Sequence, residues 1–330
     1  GGAAYRCAAP PLGRGRLSPI IARLGGVGFG YAAQHGSLCV VSGIEALLEG
    51  KSPRVFLSFL RCSVWVIAVT LPLAWAIDGD QLDAIAAPGI FTVAGGLLFG
   101  VGAAINGGCS FGTLIRLGGG DASFIATLAG LAFGFLLQRH APAVDIASAM
   151  IGRSPLEAPT VAGTMVLLAA AAFCLREALG ERRRGQVSGR WPPERAALIM
   201  GVAGGVLYAL HGSWAYTIAI ERGLADMRAG GIPNFDLALI FLACLAGAAL
   251  GARRLDRFRL QLNARDVPKH LAGGTIMGIA AALIPGGNDV LVLHALPALS
   301  PHAPVAYLTL VIGAAAALAI SSRLRRRAAM

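Results

Sequence analysis

Ala94-Gly95-Gly96-Leu97-Leu98-Phe99-Gly100, leading to Asn106-Gly107-Gly108-Cys109, has a second version further along the chain. There Ala272-Gly273-Gly274-Thr275-Ile276-Met277-Gly278 leads to Pro285-Gly286-Gly287-Asn288. Another pair precedes them in the same order. Tyr31-Ala32-Ala33-Gln34-His35-Gly36-Ser37-Leu38-Cys39 is matched by Tyr208-Ala209-Leu210-His211-Gly212-Ser213-Trp214-Ala215. Glu45 and Glu221 follow the His-Gly-Ser triplets at one common spacing. Two blocks repeated in order mark an internal duplication.

Composition supplies the setting. The chain has 330 residues, 56% hydrophobic and only 14% charged, with 45 glycines. Its mean hydropathy is +0.68. Soluble domains carry about 25% charge, so this is a membrane composition. Nine apolar segments appear, at about 24–48, 55–77, 89–105, 122–137, 160–179, 196–220, 235–250, 267–284 and 305–321. Each approaches the roughly 20 residues that span a bilayer as helix. The first, third, sixth and eighth are rich in glycine and polar groups and read as discontinuous, cavity-lining helices. Five spans separate the starts of the two copies, and an odd number turns the second copy over, the inverted-repeat plan of many transporters. The expected fold is thus an all-α polytopic membrane protein of about nine helices in two inverted repeats. Its parts are an N-terminal segment (1–23), a first repeat (24–150), a linker helix with a cytoplasmic loop (151–195), a second repeat (196–322) and a basic tail (323–330).

The net charge of +11 sits in loops rather than on a groove, so it speaks of topology and not of nucleic acid. Arg176, Arg182, Arg183, Arg184, Arg190 and Arg195 flank the loop after the fifth span. Arg253, Arg254, Arg257, Arg259, Arg265 and Lys269 flank the loop after the seventh, and Arg323, Arg325, Arg326 and Arg327 end the chain. Asp78, Asp80 and Asp83 follow the second span. Basic loops stay in the cytoplasm. This puts the C-terminus inside and the N-terminus outside the bacterial inner membrane, with Arg6, Arg14, Arg16 and Arg23 opposing the assignment. The opening residues carry no clean signal-peptide pattern.

The chemistry gathers at the glycine breaks. Irregular backbone at membrane depth must be buried in protein or line a cavity. Gly107-Gly108 permits a sharp turn, and Ser110 onward can start a half-helix whose free N–H groups favour an anion. Cys109 then sits at that mouth. Gly286-Gly287-Asn288-Asp289 offers the same arrangement from the other copy, and the two breaks together form a central constriction. A thiol can donate a weak hydrogen bond, and its soft sulfur suits a sulfur ligand. The alternative for Cys109, and for Cys39 past the first triplet, is a small buried packing residue. Cys62, Cys174 and Cys244 lie inside plain spans and read as packing; Cys7 has no reading. Among the six cysteines no CxxC pair occurs, and no metal or cofactor is expected.

Gly96-Leu97-Leu98-Phe99-Gly100…Asn106-Gly107-Gly108-Cys109-Ser110-Phe111-Gly112-Thr113-Leu114-Ile115-Arg116-Leu117-Gly118-Gly119-Gly120 resembles the signature of the YeeE/YedE family of sulfur-compound transporters. Cys39 resembles that family's other cysteine motif, and segment order agrees from about residue 24 to 321. The resemblance implies uptake of thiosulfate or a related anion, with pathway cysteines contacting the ligand through S–H···S interactions and no covalent turnover. The family commonly has a cysteine in the second glycine block too; here the matching position reads as Asn288. An amide can hydrogen-bond an oxyanion but cannot exchange sulfur.

Other polar residues have two readings each. Glu45 and Glu221 are either functional carboxylates or helix-end residues at the interface. His35 and His211 either bind an anion or relay protons, or they are polar glue between helices. Arg116 either draws an anion to the cytoplasmic mouth or is an ordinary inside-facing base. Gly96/Gly100 and Gly274/Gly278 fit close helix packing. The sequence therefore points to a non-enzymatic importer of a small sulfur-containing anion, partnered by the lipid bilayer and by a cytoplasmic sulfur carrier. No nucleotide-binding G-x-x-x-x-G-K-[ST] pattern occurs. The rival readings are a redox or persulfide relay through Cys39 and Cys109, and a non-transporting scaffold.

Overall fold

The computed structural model describes residues 17–77, 82–140, 150–183 and 189–328. Cys7, Arg6, Arg14, Arg16, Asp78, Asp80 and Arg184 lie outside them.

Helices account for nearly everything described. The first copy consists of α1 (Leu17–Gly36), α2 (Val40–Leu48), α3 (Arg54–Ala76), α4 (Ile90–Asn106), α5 (Ser110–Gly118) and α6 (Ile125–His140). α7 (Val161–Arg183) follows. The second copy consists of α8 (Pro193–His211), α9 (Tyr216–Arg228), α10 (Phe235–Arg254), α11 (Val267–Leu283), α12 (Asn288–Val290) and α13 (His302–Ala328). A π-helical turn, Leu291–Ala295, extends α12. Ile85–Ala86 pairs antiparallel with Met150–Gly152 in a small ribbon.

All four segments read as discontinuous are broken, at Ser37–Cys39, Gly107–Cys109, Gly212–Ala215 and Ile284–Gly287. Among the described residues, six helices or helix pairs are long and apolar enough to cross a membrane, and α11 with its 48° bent continuation makes a seventh. The remaining two of the nine apolar segments fall short of that test. α6 belongs to a shorter apolar helix, Ala122–Gln138. α1 carries Arg23, Gln34 and His35 along its length. α13 runs on to Ala328, so the described part of the basic tail belongs to the last turns of a helix.

Helix packing repeats between the two parts of the chain. α1 packs on α10, α3 on α8, α4 on α13 and α6 on α11, while α4 meets α11 and α1 meets α8 at the centre. Exchanging α1 with α8, α3 with α10, α4 with α11 and α6 with α13 returns the same set of contacts. Lipid tails give no hydrophobic drive between helices, so close backbone approach has to supply the attraction. Gly100 and Gly278 show how close. A Cβ on Gly100 would lie 2.1 Å from the Leu310 carbonyl oxygen, and one on Gly278 would lie 2.3 Å from that of Leu131.

Outward faces are apolar, as lipid contact requires. α7 buries only Gly163, Ala170 and Cys174, while Val161, Met165, Leu168 and Leu175 are exposed. Near its end it is tied to α3 and α8 by half-buried charges. Arg61 bridges Glu177 and Glu194, both at 3.2 Å, and Trp65 Nε1 donates to Glu177 at 3.2 Å.

Connections gather on two faces. On one, Arg259 N–H donates to Gly119 O (3.0 Å) and Ala122 N–H to Gln261 O (2.8 Å), joining the loops after α5 and α10. Arg190 donates to Ser37 Oγ at 2.8 Å. On the other, Ala86 N–H donates to Ser300 Oγ (2.9 Å) and Ser154 Oγ to Ala298 O (2.8 Å). Lys51, Arg190, Arg257, Arg259 and Arg265 belong to loops of the first face, and Asp83 belongs to the second.

The packing predicts that Gly100→Val overpacks the α4–α13 seam. A loss on the order of 1–3 kcal/mol or more is expected, read as a lower thermal midpoint of the detergent-purified protein. Gly28→Ala, with nothing within 4 Å of the new methyl group, should leave that midpoint unchanged.

Candidate functional site

The breaks meet in the interior, and Cys39 and Cys109 meet there with them. α1 ends at Gly36, and Ser37 takes a positive φ of 49° to turn the chain. Cys39 then opens α2 from an extended conformation (φ −134°, ψ 128°). Gly107, in the left-handed region at φ 74°, closes α4, and Cys109 opens α5 (φ −76°, ψ −171°). The two sulfurs are 3.8 Å apart and buried. Neither thiol makes a full capping hydrogen bond, but the first-turn N–H groups of Val41 and Ser42 lie against Cys39 and that of Gly112 against Cys109, so the two sulfurs sit among the N–H groups that open α2 and α5. Gly112 faces the pair: a Cβ there would lie 2.7 Å from Cys39 Sγ.

Asn106 holds the Cys109 break in shape. Its Nδ2 donates to Gly108 O (2.7 Å) and Thr113 Oγ1 (3.3 Å). Its Oδ1 accepts from Thr127 Oγ1 (2.7 Å) and His270 Nδ1 (2.9 Å). The chain interruption is thereby satisfied within the protein, by residues of α5, α6 and α11.

The second copy builds its break differently. Gly286 has φ 115°, and its N–H donates to Ala281 O as Gly108 N–H donates to Ala103 O. Gly287 O accepts from Leu291 N–H as Cys109 O accepts from Thr113 N–H. By backbone role the counterpart of Cys109 is therefore Gly287, and Asn288 corresponds to Ser110. The glycine-block match that set Asn288 opposite Cys109 is one residue out of register, because Pro285 takes the place of Gly107 at the turn. Asn288 is wholly buried, and neither its Oδ1 nor its Nδ2 has a partner. Cys39, at the other break, keeps its backbone role in Ala215, which opens α9.

Ser110 links the two copies. Its hydroxyl accepts from Asp289 N–H (3.0 Å) and its carbonyl from Tyr216 Oη–H (3.1 Å). Asp289 accepts from Thr217 Oγ1 (2.8 Å) and Thr217 N–H (3.3 Å). A cavity of about 20 Å³ lies alongside, lined by Asp289, Tyr216, Trp214, Phe111, Phe29 and Cys244 among others. It has room for about one water. Cys244, read as plain packing, borders this cavity.

Further out on the face away from the basic loops, Asp83 accepts from Ser213 Oγ, and its N–H donates to Tyr208 Oη at 2.8 Å. Burial pushes the Asp83 carboxyl up from its ordinary range, against the Ser213 hydrogen bond and the nearby Arg222 charge. Ser213 of the repeated triplet thus ties the break at Gly212–Ala215 to Asp83.

The remaining sequence candidates lie apart from this centre. His35 stacks between Tyr31 (4.2 Å) and Trp191 (4.7 Å) and pairs with Tyr31 O at 3.1 Å, as polar glue would. His211 borders a separate small cavity with Arg23 and Asp236. Glu45 and Arg116 are exposed, with Arg116 over the Phe124 ring at 6.0 Å, and Glu221 is half-buried. Sequence reading passed over Asn106, Thr217 and the carboxylate of Asp289. Their signal was polar chemistry beside a glycine break.

The sequence profile of the family described as sulphur transport matches residues 35–316. The chain belongs to the sulphur transport family, YeeE/YedE. A sulphur transport protein built of this many apolar helices is a multi-pass membrane transporter of sulfur compounds. A search of curated proteins found no match.

If Asn106 holds the break, Asn106→Ala strands Thr127, His270 and the Gly108 carbonyl. Each buried orphan costs about 1–3 kcal/mol. A lower thermal midpoint and a sharp fall in accumulation are expected, measured in detergent and by membrane immunoblot.

Proposed function

We propose that the chain imports thiosulfate, or a closely similar sulfur oxyanion, across the bacterial inner membrane through the meeting point of its helix breaks. The observation that carries this reading is the buried Cys39–Cys109 pair at 3.8 Å, each thiol at the mouth of a helix N-terminus. The terminal sulfur of thiosulfate is soft and accepts S–H···S contacts from the two thiols. Its oxygens take first-turn N–H groups that now face the two sulfurs, favoured by the positive ends of the helix dipoles. The unpartnered Asn288 amide supplies two further donors.

The cavity beside the breaks holds about one water, so passage requires the breaks to part and close again. A break of a few residues is a natural hinge. We read the architecture as two inverted repeats crossing nine times. The basic face then lies in the cytoplasm, with the C-terminus inside and the N-terminus outside. The anion leaves toward a cytoplasmic sulfur-carrier protein.

A second reading draws on the same distance. At 3.8 Å the sulfurs are close enough for a small movement to bring them into bonding reach, so a persulfide relay is geometrically open to this pair. In it a Cys thiolate takes the terminal sulfur of thiosulfate as a persulfide and sulfite leaves.

A thiosulfate-uptake-deficient bacterium grown on thiosulfate as sole sulfur source tests the first reading. Expression of the chain should restore growth, and Cys109→Ala should cut radiolabelled thiosulfate uptake at least about tenfold, the equivalent of some 1.4 kcal/mol. No rescue by the wild type sinks thiosulfate import. Equal rescue by Cys109→Ala removes the role given to that thiol. The two readings part in vitro: sulfite release together with a persulfide on Cys39 or Cys109, seen by mass spectrometry, favours the relay. Intact thiosulfate recovered inside vesicles, with unmodified thiols, favours passage.

A further inference from the structure

A carboxylate is an unexpected group to find at the centre of an anion transporter. Asp289 is 3% exposed and lies at the same break as Asn288. Among the described residues it forms no ion pair; its carboxylate is met by neutral donors, the hydroxyl and N–H of Thr217 and the hydroxyl of Ser110. The titratable groups around it are themselves uncharged in their ordinary forms. From α9 comes the phenol of Tyr216, from α10 the thiol of Cys244, and from the mouth of α5 the thiol of Cys109. His294, on the same segment, turns instead to the rings of Tyr208 and Trp214 and accepts from Trp214 N–H. Arg222 donates to Ser213 O and acts on Asp83 and His294. Among the described residues no cation pairs with Asp289.

A buried, unpaired carboxylate is costly when ionised and cheap when protonated. An anion arriving beside it makes the ionised form costlier still, through like-charge repulsion in a dry site. The neighbouring Asn288 amide, buried without a partner, is the independent sign that a ligand comes this close. The cavity lined by Asp289 has room for the water that would bring or remove a proton.

We propose that Asp289 binds a proton whenever the anion enters, and that the chain therefore co-transports a proton with each sulfur anion. The carboxylate takes the proton from the outer side, stays neutral while the anion is beside it, and releases the proton to the cytoplasm after the anion leaves. No bond other than O–H forms or breaks. The inference rests on the transport reading above and adds its driving force.

The rival role for Asp289 is a structural cap. Ala215 opens α9 without a side-chain cap, and Asp289 supplies one from across the break. Asparagine caps a helix as well as aspartate does. Asp289→Asn thus keeps the cap and removes the titration.

The test uses the purified full chain in liposomes loaded with a pH-sensitive dye, given radiolabelled thiosulfate outside. Wild-type uptake should acidify the interior at a fixed ratio of protons to thiosulfate, and a gradient acid on the outside should speed it several-fold. In Asp289→Asn that ratio should fall to background at whatever uptake remains, and Asp289→Glu should restore it. Proton movement at the wild-type ratio in Asp289→Asn overturns the proposal and leaves a cap. Wild-type uptake without acidification, and at the same rate with and without the gradient, also overturns it, and needs no variant that folds. No thiosulfate uptake by the wild type sinks the transport reading itself, and the proposal with it.

Discussion

A backbone interrupted inside a membrane must have its freed N–H and C=O groups satisfied by the protein, since the hydrocarbon offers nothing. Four interruptions in one chain impose that demand at one place. The structure meets it by bringing the breaks together, so that each supplies partners to another. Asn106 ties the Gly108 carbonyl to α5, α6 and α11. Ser110 receives the N–H of Asp289 and the phenol of Tyr216 from the second copy. Asp289 closes the start of α9. The site is thus a by-product of solving the break problem: polar groups can gather there because the backbone already requires them.

Close helix packing makes the meeting possible. Where Gly100 and Gly278 sit against carbonyls of α13 and α6, there is no space for a side chain. The same small-residue logic pairs helices equivalently in both copies, so the frame has the symmetry of the duplication. The contents do not. In the first copy two thiols face each other at 3.8 Å. In the second, Ala215 and Gly287 occupy the same backbone positions, and polarity moves to Asn288 and Asp289 one and two residues on. One half thus presents two soft sulfurs, and the other an amide and a carboxyl group.

Much of this was legible in the residues. The repeated blocks, the membrane composition, the four broken segments and the family all followed from pattern, because hydrophobic length and glycine position act locally. Cys109 stood out because it follows a glycine pair. His35 and His211 stood out equally, yet both lie apart from the centre, and a triplet in sequence carries no information about which side of a helix end it will face.

Sequence alone determined that the chain is a helical membrane protein of the sulphur transport family, carrying two repeated blocks and breaks beside glycines, since those properties reside in short windows of residues. Tertiary structure alone decided that Cys39 and Cys109 touch across 70 positions, that Asn106 organises the break, that Gly287 rather than Asn288 stands for Cys109, and that Asp289 faces Thr217. Each depends on which helices pack together and on the register of a turn. A one-residue difference at Pro285 is enough to change which side chain points inward.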